Sequence, residues 1–397
     1  MISSKMKSMV NNSSVIRAMF EEGKILAEKY GAENVFDYSI GNPSVEPPEN
    51  VKKAIIDILN EEPQNLVHGY MNNSGYEDVR EKIADHINNE QGTSYKLENI
   101  VMTCGAAGGL NIILKTLLNP GEEVIVIAPF FGEYKNYVEN YEGKLVVVDA
   151  DKKTFQPDID KFEAAITKNT KAVIINTPNN PTGVIYSKET IIKMADVLNK
   201  KQKEFNTSIY LISDEPYREL VYEDIEIPHI PKYYKNTFIG YSYSKSLSLP
   251  GERIGYIVVN NDMDDLQDVL SGLNTANRIS GFVNAPSLFQ RVIARTLDAK
   301  VDVNIYKKNR DLLYNHLISL GFECVNPDGA FYLFPKCLID DEKKFIEMAK
   351  KRNLLLVPGS SFNCPGYCRL AYCTSYDTIE RSLDNFTKLA EDIKNIK

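Results

Sequence analysis

Three short stretches put reactive side chains directly after apolar runs. Thr177-Pro178-Asn179-Asn180-Pro181-Thr182-Gly183 offers amides, Asp214-Glu215-Pro216-Tyr217 a carboxylate and a phenol, and Ser242-Tyr243-Ser244-Lys245 an amine. One such ending is an ordinary turn; three in register would converge on one crevice. Lys245 carries the most information. Small hydroxyls flank it, not acids, and a lysine at the floor of a crevice loses solvation, which depresses its pKa and leaves a nucleophilic amine. A lysine taken alone is a solvated surface residue. The run S-Y-S-K-S-L-S-L-P-G-E-R-I-G-Y sets this one apart, because Ser242 and Arg253 stand where both could grip a phosphate beside the amine.

A second anion cradle lies upstream. Thr103-Cys104-Gly105-Ala106-Ala107-Gly108-Gly109 follows the apolar run Ile100–Met102 and opens a helical stretch, Leu110–Leu118. Small residues at a helix N-terminus let backbone N–H groups approach an anion. The run is neither G-x-G-x-x-G nor a Walker loop, and close packing of helix on sheet explains it equally well. Asp214 reads as a helix cap, a solvated carboxylate or a partner for a ring nitrogen. Phe131, in Pro129-Phe130-Phe131-Gly132-Glu133-Tyr134, reads as core or as a stacking surface.

The elements that must position these groups alternate between two periods. Glu122–Ala128, Lys171–Asn176, Ser208–Ser213, Thr237–Tyr241 and Ile254–Val259 are short runs rich in β-branched and aromatic residues. Such near-continuous apolar runs suit strands buried on both faces of a largely parallel sheet. Asp158–Ile166 and Ser187–Lys200 carry helical spacing between them. This alternation predicts an α/β fold with right-handed crossovers, in which ligands sit outside the carboxyl ends of the strands. Later, Val303–Leu320 and Asp377–Ile396 read as helices, and Gly329–Phe334 and Leu354–Val357 as strand-like pieces of a smaller α/β domain.

The 397 residues allow two or three domains. Lys plus Arg number 46 and Asp plus Glu 54, a net charge of −8 that gives no general pull toward nucleic acid or an anionic membrane. No apolar run is long enough to span a membrane, and Met1–Asn12 lacks the apolar centre of a secretory signal. Six cysteines without a C-x-x-C pair read as small core residues in a reducing cytoplasm, and no metal site is expected.

Together, Ser39-Ile40-Gly41-Asn42-Pro43, N-N-P-T-G, D-E-P-Y and S-x-S-K…P-G-x-R-x-G resemble the pyridoxal 5′-phosphate-dependent aminotransferases of fold type I, class I/II, the aspartate aminotransferase-like group. The resemblance covers nearly the whole chain. It implies a large domain with a mostly parallel seven-stranded sheet sandwiched by helices, and a smaller α/β domain built from both termini. The expected division is 1–44 as an N-terminal segment packing with the small domain, 45–285 as the large cofactor-binding domain and 286–397 as the small domain. By the resemblance, Lys245 joins the cofactor aldehyde and carries the proton, and Asp214 partners the pyridine nitrogen. Tyr217 and Asn180 face the cofactor's ring oxygen. Gly105, Ala106, Ala107, Ser242 and Arg253 form the phosphate cup, and Phe131 stacks on the ring. Tyr70 reaches the neighbouring subunit's phosphate in a homodimer, and Gly41, Asn180 and Arg369 meet the substrate α-carboxylate.

The implied reaction is ping-pong transamination between an amino acid, aspartate or another, and a 2-oxo acid, with 2-oxoglutarate as the expected acceptor. A carbon–sulfur β-lyase on the same fold is the alternative. A regulator that kept the fold would carry a DNA-binding module, for which the residues before Gly41 are too few. Two departures bear on the substrate. Ala106 and Ala107 stand where many relatives carry Ser, Thr or Lys, and the motifs hold no second cation for a distal carboxylate. Met71, Phe331, Tyr332 and Phe362 are therefore expected to line a pocket for apolar or aromatic side chains.

Overall fold

The computed structural model describes residues 2–11, 15–223 and 225–396. In chain order the strands are β1 (Phe36–Asp37), β2 (Ile100–Thr103), β3 (Glu123–Ala128), β4 (Lys144–Asp149), β5 (Thr170–Asn176) and β6 (Tyr210–Asp214). They continue with β7 (Thr237–Ser242), β8 (Gly255–Val259), β9 (Tyr332–Leu333), β10 (Leu354–Leu355), β11 (Val357–Pro358) and β12 (Cys368–Ala371). Strands β2 to β8 form one seven-stranded sheet in the order β2-β8-β7-β6-β5-β3-β4. Its neighbours β4/β3, β3/β5, β5/β6 and β6/β7 are parallel, and β8 alone runs against the others. Helices cover both faces, so both faces of the central strands are apolar: every residue of β2, β6, β7 and β8 is buried.

The helices begin where short polar side chains can cap them. Asp158, Ser187, Asp302 and Ser375 each accept a hydrogen bond from a backbone N–H one turn ahead, opening Ile159–Ala165, Lys188–Phe205, Val303–Ser319 and Tyr376–Lys394. Helix Gly105–Leu117 starts earlier than its hydrophobic spacing predicts. Its first turn is the small-residue run itself, packed so closely that a Cβ on Gly109 would stand 3.3 Å from Ile257.

A separate core joins the two ends of the chain. Phe36 and Tyr38 share an apolar cluster with Leu313, Phe345, Leu370 and Phe386, and β1 pairs in parallel with β10. A three-stranded antiparallel sheet, β11-β12-β9, completes this part. The strand-like reading of Gly329–Phe334 reduces to two strand residues, and Leu354–Val357 splits into β10 and β11. The boundary after residue 285 also differs. Helix Ser287–Ala294 puts Val292 and Ile293 into the cluster of Val51, Ile83 and Ile100, with the large sheet, and the small-domain core takes over with Val301 and Tyr306.

Candidate active site

The register of the parallel strands sets the site. Asn176 at the end of β5 pairs with Asp214 at the end of β6, and Asp214 pairs with Gly240 of β7, two residues before Ser242. The next residues turn into the short helix Tyr243–Ser246, which carries Lys245. The three polar strand ends thus open on one cavity of about 300 Å³. Of the expected site residues, Gly41, Ala106, Ala107, Phe131, Asn180, Asp214, Tyr217, Ser242, Lys245, Arg253 and Arg369 line it.

Asp214 is 6% exposed. Its Oδ2 accepts a hydrogen bond of 2.5 Å from the Tyr134 hydroxyl, while its Oδ1 is buried with no partner. Burial pushes this carboxyl up to about 7, and the bond from Tyr134 pulls the other way. The Asn176 amide donates to the Asp214 carbonyl at 2.8 Å and its Oδ1 accepts from Asn180 N–H at 2.6 Å, tying the ends of β5 and β6 together.

Lys245 Nζ donates to the Gly41 carbonyl at 2.7 Å and stands 5.4 Å from the Phe331 ring centre. Burial lowers its ammonium to about 8, and the charges of Arg369 and Arg253 act in the same direction. At pH 7 about a tenth of this amine is therefore unprotonated, far more than for an ordinary lysine.

Arg369 is 2% exposed, so its charge is held entirely by neighbours. One Nη donates to Asn180 Oδ1 at 3.0 Å and the other to the Ser39 carbonyl at 2.5 Å, while Nε has no partner. The guanidinium stands 4.6 Å from the Tyr332 ring centre and 4.9 Å from that of Phe362. A buried arginine with spare donors facing a cavity is suited to a planar carboxylate.

Gly105 lies beside this cavity and shapes its anion end. Its φ is +71°, and a Cβ there would come within 2.8 Å of Arg253 Nη2. Arg253 itself has φ +53° and lies across the start of helix Gly105–Leu117. The free N–H groups of that helix, Ser242 and the guanidinium together make an anion cradle.

Tyr70 lies outside the cavity and is 92% exposed. Its loop is tied to a second exposed loop, since Asn284 Nδ2 donates to the Met71 and Asn72 carbonyls. Of the residues expected to form an apolar pocket, only Tyr332 lines the cavity. Phe331 and Phe362 are fully buried behind it, facing the Lys245 and Arg369 cations, and Met71 packs instead against Gln290.

Three residues that matter here were not singled out from the sequence. Tyr134 sits one turn past Phe131, a spacing that could have flagged it. Tyr332, expected only as pocket lining, also bonds the Tyr217 hydroxyl at 2.9 Å; Asn176 ends a strand, and Ser39 offers only its carbonyl. That carbonyl carries no side-chain signal at all.

The residues fit a phosphorylated pyridine aldehyde. The orphaned Asp214 Oδ1 matches a protonated ring nitrogen, the cradle at Gly105 and Arg253 matches a phosphate, and the Lys245 amine lies on the same cavity.

Residues 33–386 match the family model of aminotransferase class I and II. The chain is 30% identical over 401 residues to a probable aspartate aminotransferase of Methanocaldococcus jannaschii, covering 98% of this chain and 100% of that protein. It is 31% identical over 361 residues to a probable N-acetyl-LL-diaminopimelate aminotransferase of Bacillus subtilis, covering 89% and 88%. Among solved structures, an amino transferase from Eubacterium rectale superposes with a TM-score of 0.96 at 44% identity, covering 99% of each chain. Aspartate aminotransferase of Thermus thermophilus, solved with maleate, gives 0.87 at 27% identity, covering 98% and 99%.

Proposed function

The chain belongs to the aminotransferase class I and II family, and from that premise we propose that it is a pyridoxal 5′-phosphate-dependent amino acid:2-oxo acid aminotransferase. The observation that carries this reading is the convergence, in one cavity, of the Lys245 amine and the unpartnered Oδ1 of Asp214. When bound, the cofactor's pyridinium ring supplies the electron sink that makes a substrate α-proton removable. Everything else falls to this chain. Asp214 Oδ1 would accept from the ring N–H, with Oδ2 held by Tyr134. Ser242, Arg253 and the first N–H groups of helix Gly105–Leu117 would hold the phosphate. Phe131 would stack on the ring, and Asn180 and Tyr217 would meet its oxygen. Arg369 fixes the substrate carboxylate and so aims the α-hydrogen at Lys245 Nζ, which takes the proton as general base and returns it.

The described lining holds three cations, Lys245, Arg253 and Arg369, and each is assigned. Gly41 lies beside Lys245 and Tyr332 beside Arg369 on this lining. Among the described lining residues no cation is left for a distal carboxylate, so donors with uncharged side chains are accepted alongside aspartate. With 2-oxoglutarate as acceptor, its distal carboxylate is met from a partner subunit. A homodimer is part of the proposal. Tyr70, Leu66, Ile279 and Phe282 are all more than half exposed, an apolar surface that a second copy would cover.

Borohydride treatment of the cofactor-loaded protein, followed by peptide mass mapping, should place the cofactor on Lys245 and nowhere else. Loss of the long-wavelength absorbance should follow addition of methionine or phenylalanine as well as aspartate. A protein that takes up no cofactor at Lys245 would refute the cofactor assignment. A response to dicarboxylic donors alone would refute the donor range.

A further inference from the structure

A second cavity lies behind the same strands. It measures about 40 Å³ and is walled by Glu215, Arg218, Glu219, Tyr241, Tyr243 and Tyr256, on the face of β7 and β8 opposite the candidate active site. Its charges can be tallied. Glu215 is fully buried and satisfied, with Arg218 Nη1 at 2.6 Å and the Ser213 hydroxyl at 2.6 Å. Glu219 is less completely held: the Tyr241 hydroxyl and the Arg218 charge act on its carboxyl, but its Oε2 is buried and unbonded. His229, another wall residue, is held neutral, because burial lowers its imidazole to about 3. Glu90 and Lys300 stand exposed at the mouth with opposite signs. Glu215, Arg218 and Glu219 therefore sum to one net negative charge, which the Arg218 and Lys300 charges offset only in part at Glu219. The Tyr241 hydroxyl lies 2.8 Å from Ser246 and also acts on the Glu219 carboxyl, and the three tyrosine rings pack at 4.8–5.9 Å, fixing their hydroxyls.

We propose that this cavity binds one monovalent alkali cation, held by the Glu219 carboxylate and tyrosine hydroxyl oxygens. A single carboxylate with neutral oxygens matches a singly charged hard ion, and among the described residues no group of three or more His, Cys, Asp or Glu offers a site for zinc or a similar metal. The volume admits an ion with about two waters. Without the ion, burial raises the Glu219 carboxyl, while the Tyr241 hydroxyl and the Arg218 charge pull it down. The ion would stiffen the ends of β6 to β8, whose front face carries Asp214, Ser242 and Lys245.

The test is the melting midpoint of the holoenzyme in potassium, sodium and tetramethylammonium chlorides at equal ionic strength. A saturable rise with potassium or sodium, absent with tetramethylammonium, is expected. Glu219→Gln should abolish the ion-specific part, and Tyr256→Phe should raise the half-saturating concentration. Crystals soaked in rubidium chloride should show an anomalous peak at bonding distance from Glu219 Oε2, a readout that no variant's folding can confuse. Identical melts in all three salts, an unchanged ion effect in Glu219→Gln, or a cavity holding only water in the rubidium soak would overturn the proposal.

Discussion

Replacing Gly105 by alanine separates the anion cradle from the rest of the fold. The new methyl group would stand 2.8 Å from Arg253 Nη2 and 3.1 Å from its Cζ, so the guanidinium must move. Arg253 is exposed and long, so moving it costs the fold little. The left-handed φ of +71° adds roughly 1–2 kcal/mol against folding. The larger effect falls on the ligand: one charge-assisted hydrogen bond to phosphate contributes ~1.5–3 kcal/mol, which is a ~10- to 100-fold weaker Kd for pyridoxal phosphate. Gly121→Ala is the control, because Gly121 also has a positive φ, +84°, but its Cβ would meet nothing within 4 Å. Titrating the apoprotein with pyridoxal phosphate and with unphosphorylated pyridoxal, by absorbance, reads the difference. Gly105→Ala should weaken only the phosphorylated ligand, and Gly121→Ala neither. An unchanged affinity in Gly105→Ala, or an equal loss for both ligands, would refute the assignment of this loop to the phosphate.

Asp214 makes a pH prediction for the apoprotein. Its folded carboxyl is raised from 3.8 to about 7, so the folded state holds a proton that the unfolded state releases. Stability therefore falls as pH rises from about 4 to about 7 and then levels, a loss on the order of 4 kcal/mol. Asp214→Asn should remove that fall, and a wild-type-minus-variant stability difference that stays constant with pH would contradict it. Tyr134→Phe deletes the donor that pulls this carboxyl down, so the levelling point should move to higher pH in apoprotein melts; an unmoved profile would mean that the bond does no electrostatic work. Arg369→Lys keeps the charge but loses the fork that can meet a carboxylate and Asn180 at once. KM for the amino donor should rise ~10-fold or more with a smaller change in kcat, as steady-state kinetics would show.

Much of this site was legible because strand ends are. The apolar runs ending at Asn176 and Ser213 stop within a residue of β5 and β6, and the polar residues that follow have nowhere to go but the sheet's carboxyl edge. The edge strand Lys144–Asp149 escaped notice for the opposite reason. At the margin of the sheet it keeps most of its residues partly exposed, so it lacks the continuous apolar signature of the buried strands. Tyr134 and Ser39 were missed because their parts are tertiary. A phenol on the first turn of Glu133–Asn140 reaches Asp214 only once β3 and β6 are in register, and a backbone carbonyl has no spelling in the sequence. The aromatic pocket misled for a related reason. Phe331, Tyr332 and Phe362 are close in space, yet only one of the three faces the cavity. The other two stand behind the cations, where an aromatic face offsets part of the loss of hydration.

The run Asp214-Glu215 ties the two cavities together. Successive residues leaving a strand point to opposite faces, so Asp214 faces the front cavity and Glu215 the rear one. The two carboxylates repel, and Glu215 is one of the influences raising Asp214. Arg218 lies 2.6 Å from Glu215 and in turn faces Glu219. Whatever neutralises Glu219, whether ion or proton, alters the field around Arg218 and, through Glu215, the ease with which Asp214 ionises. The acidity of the group facing a cofactor nitrogen is thus set in part from the far side of the sheet, by residues that no substrate touches.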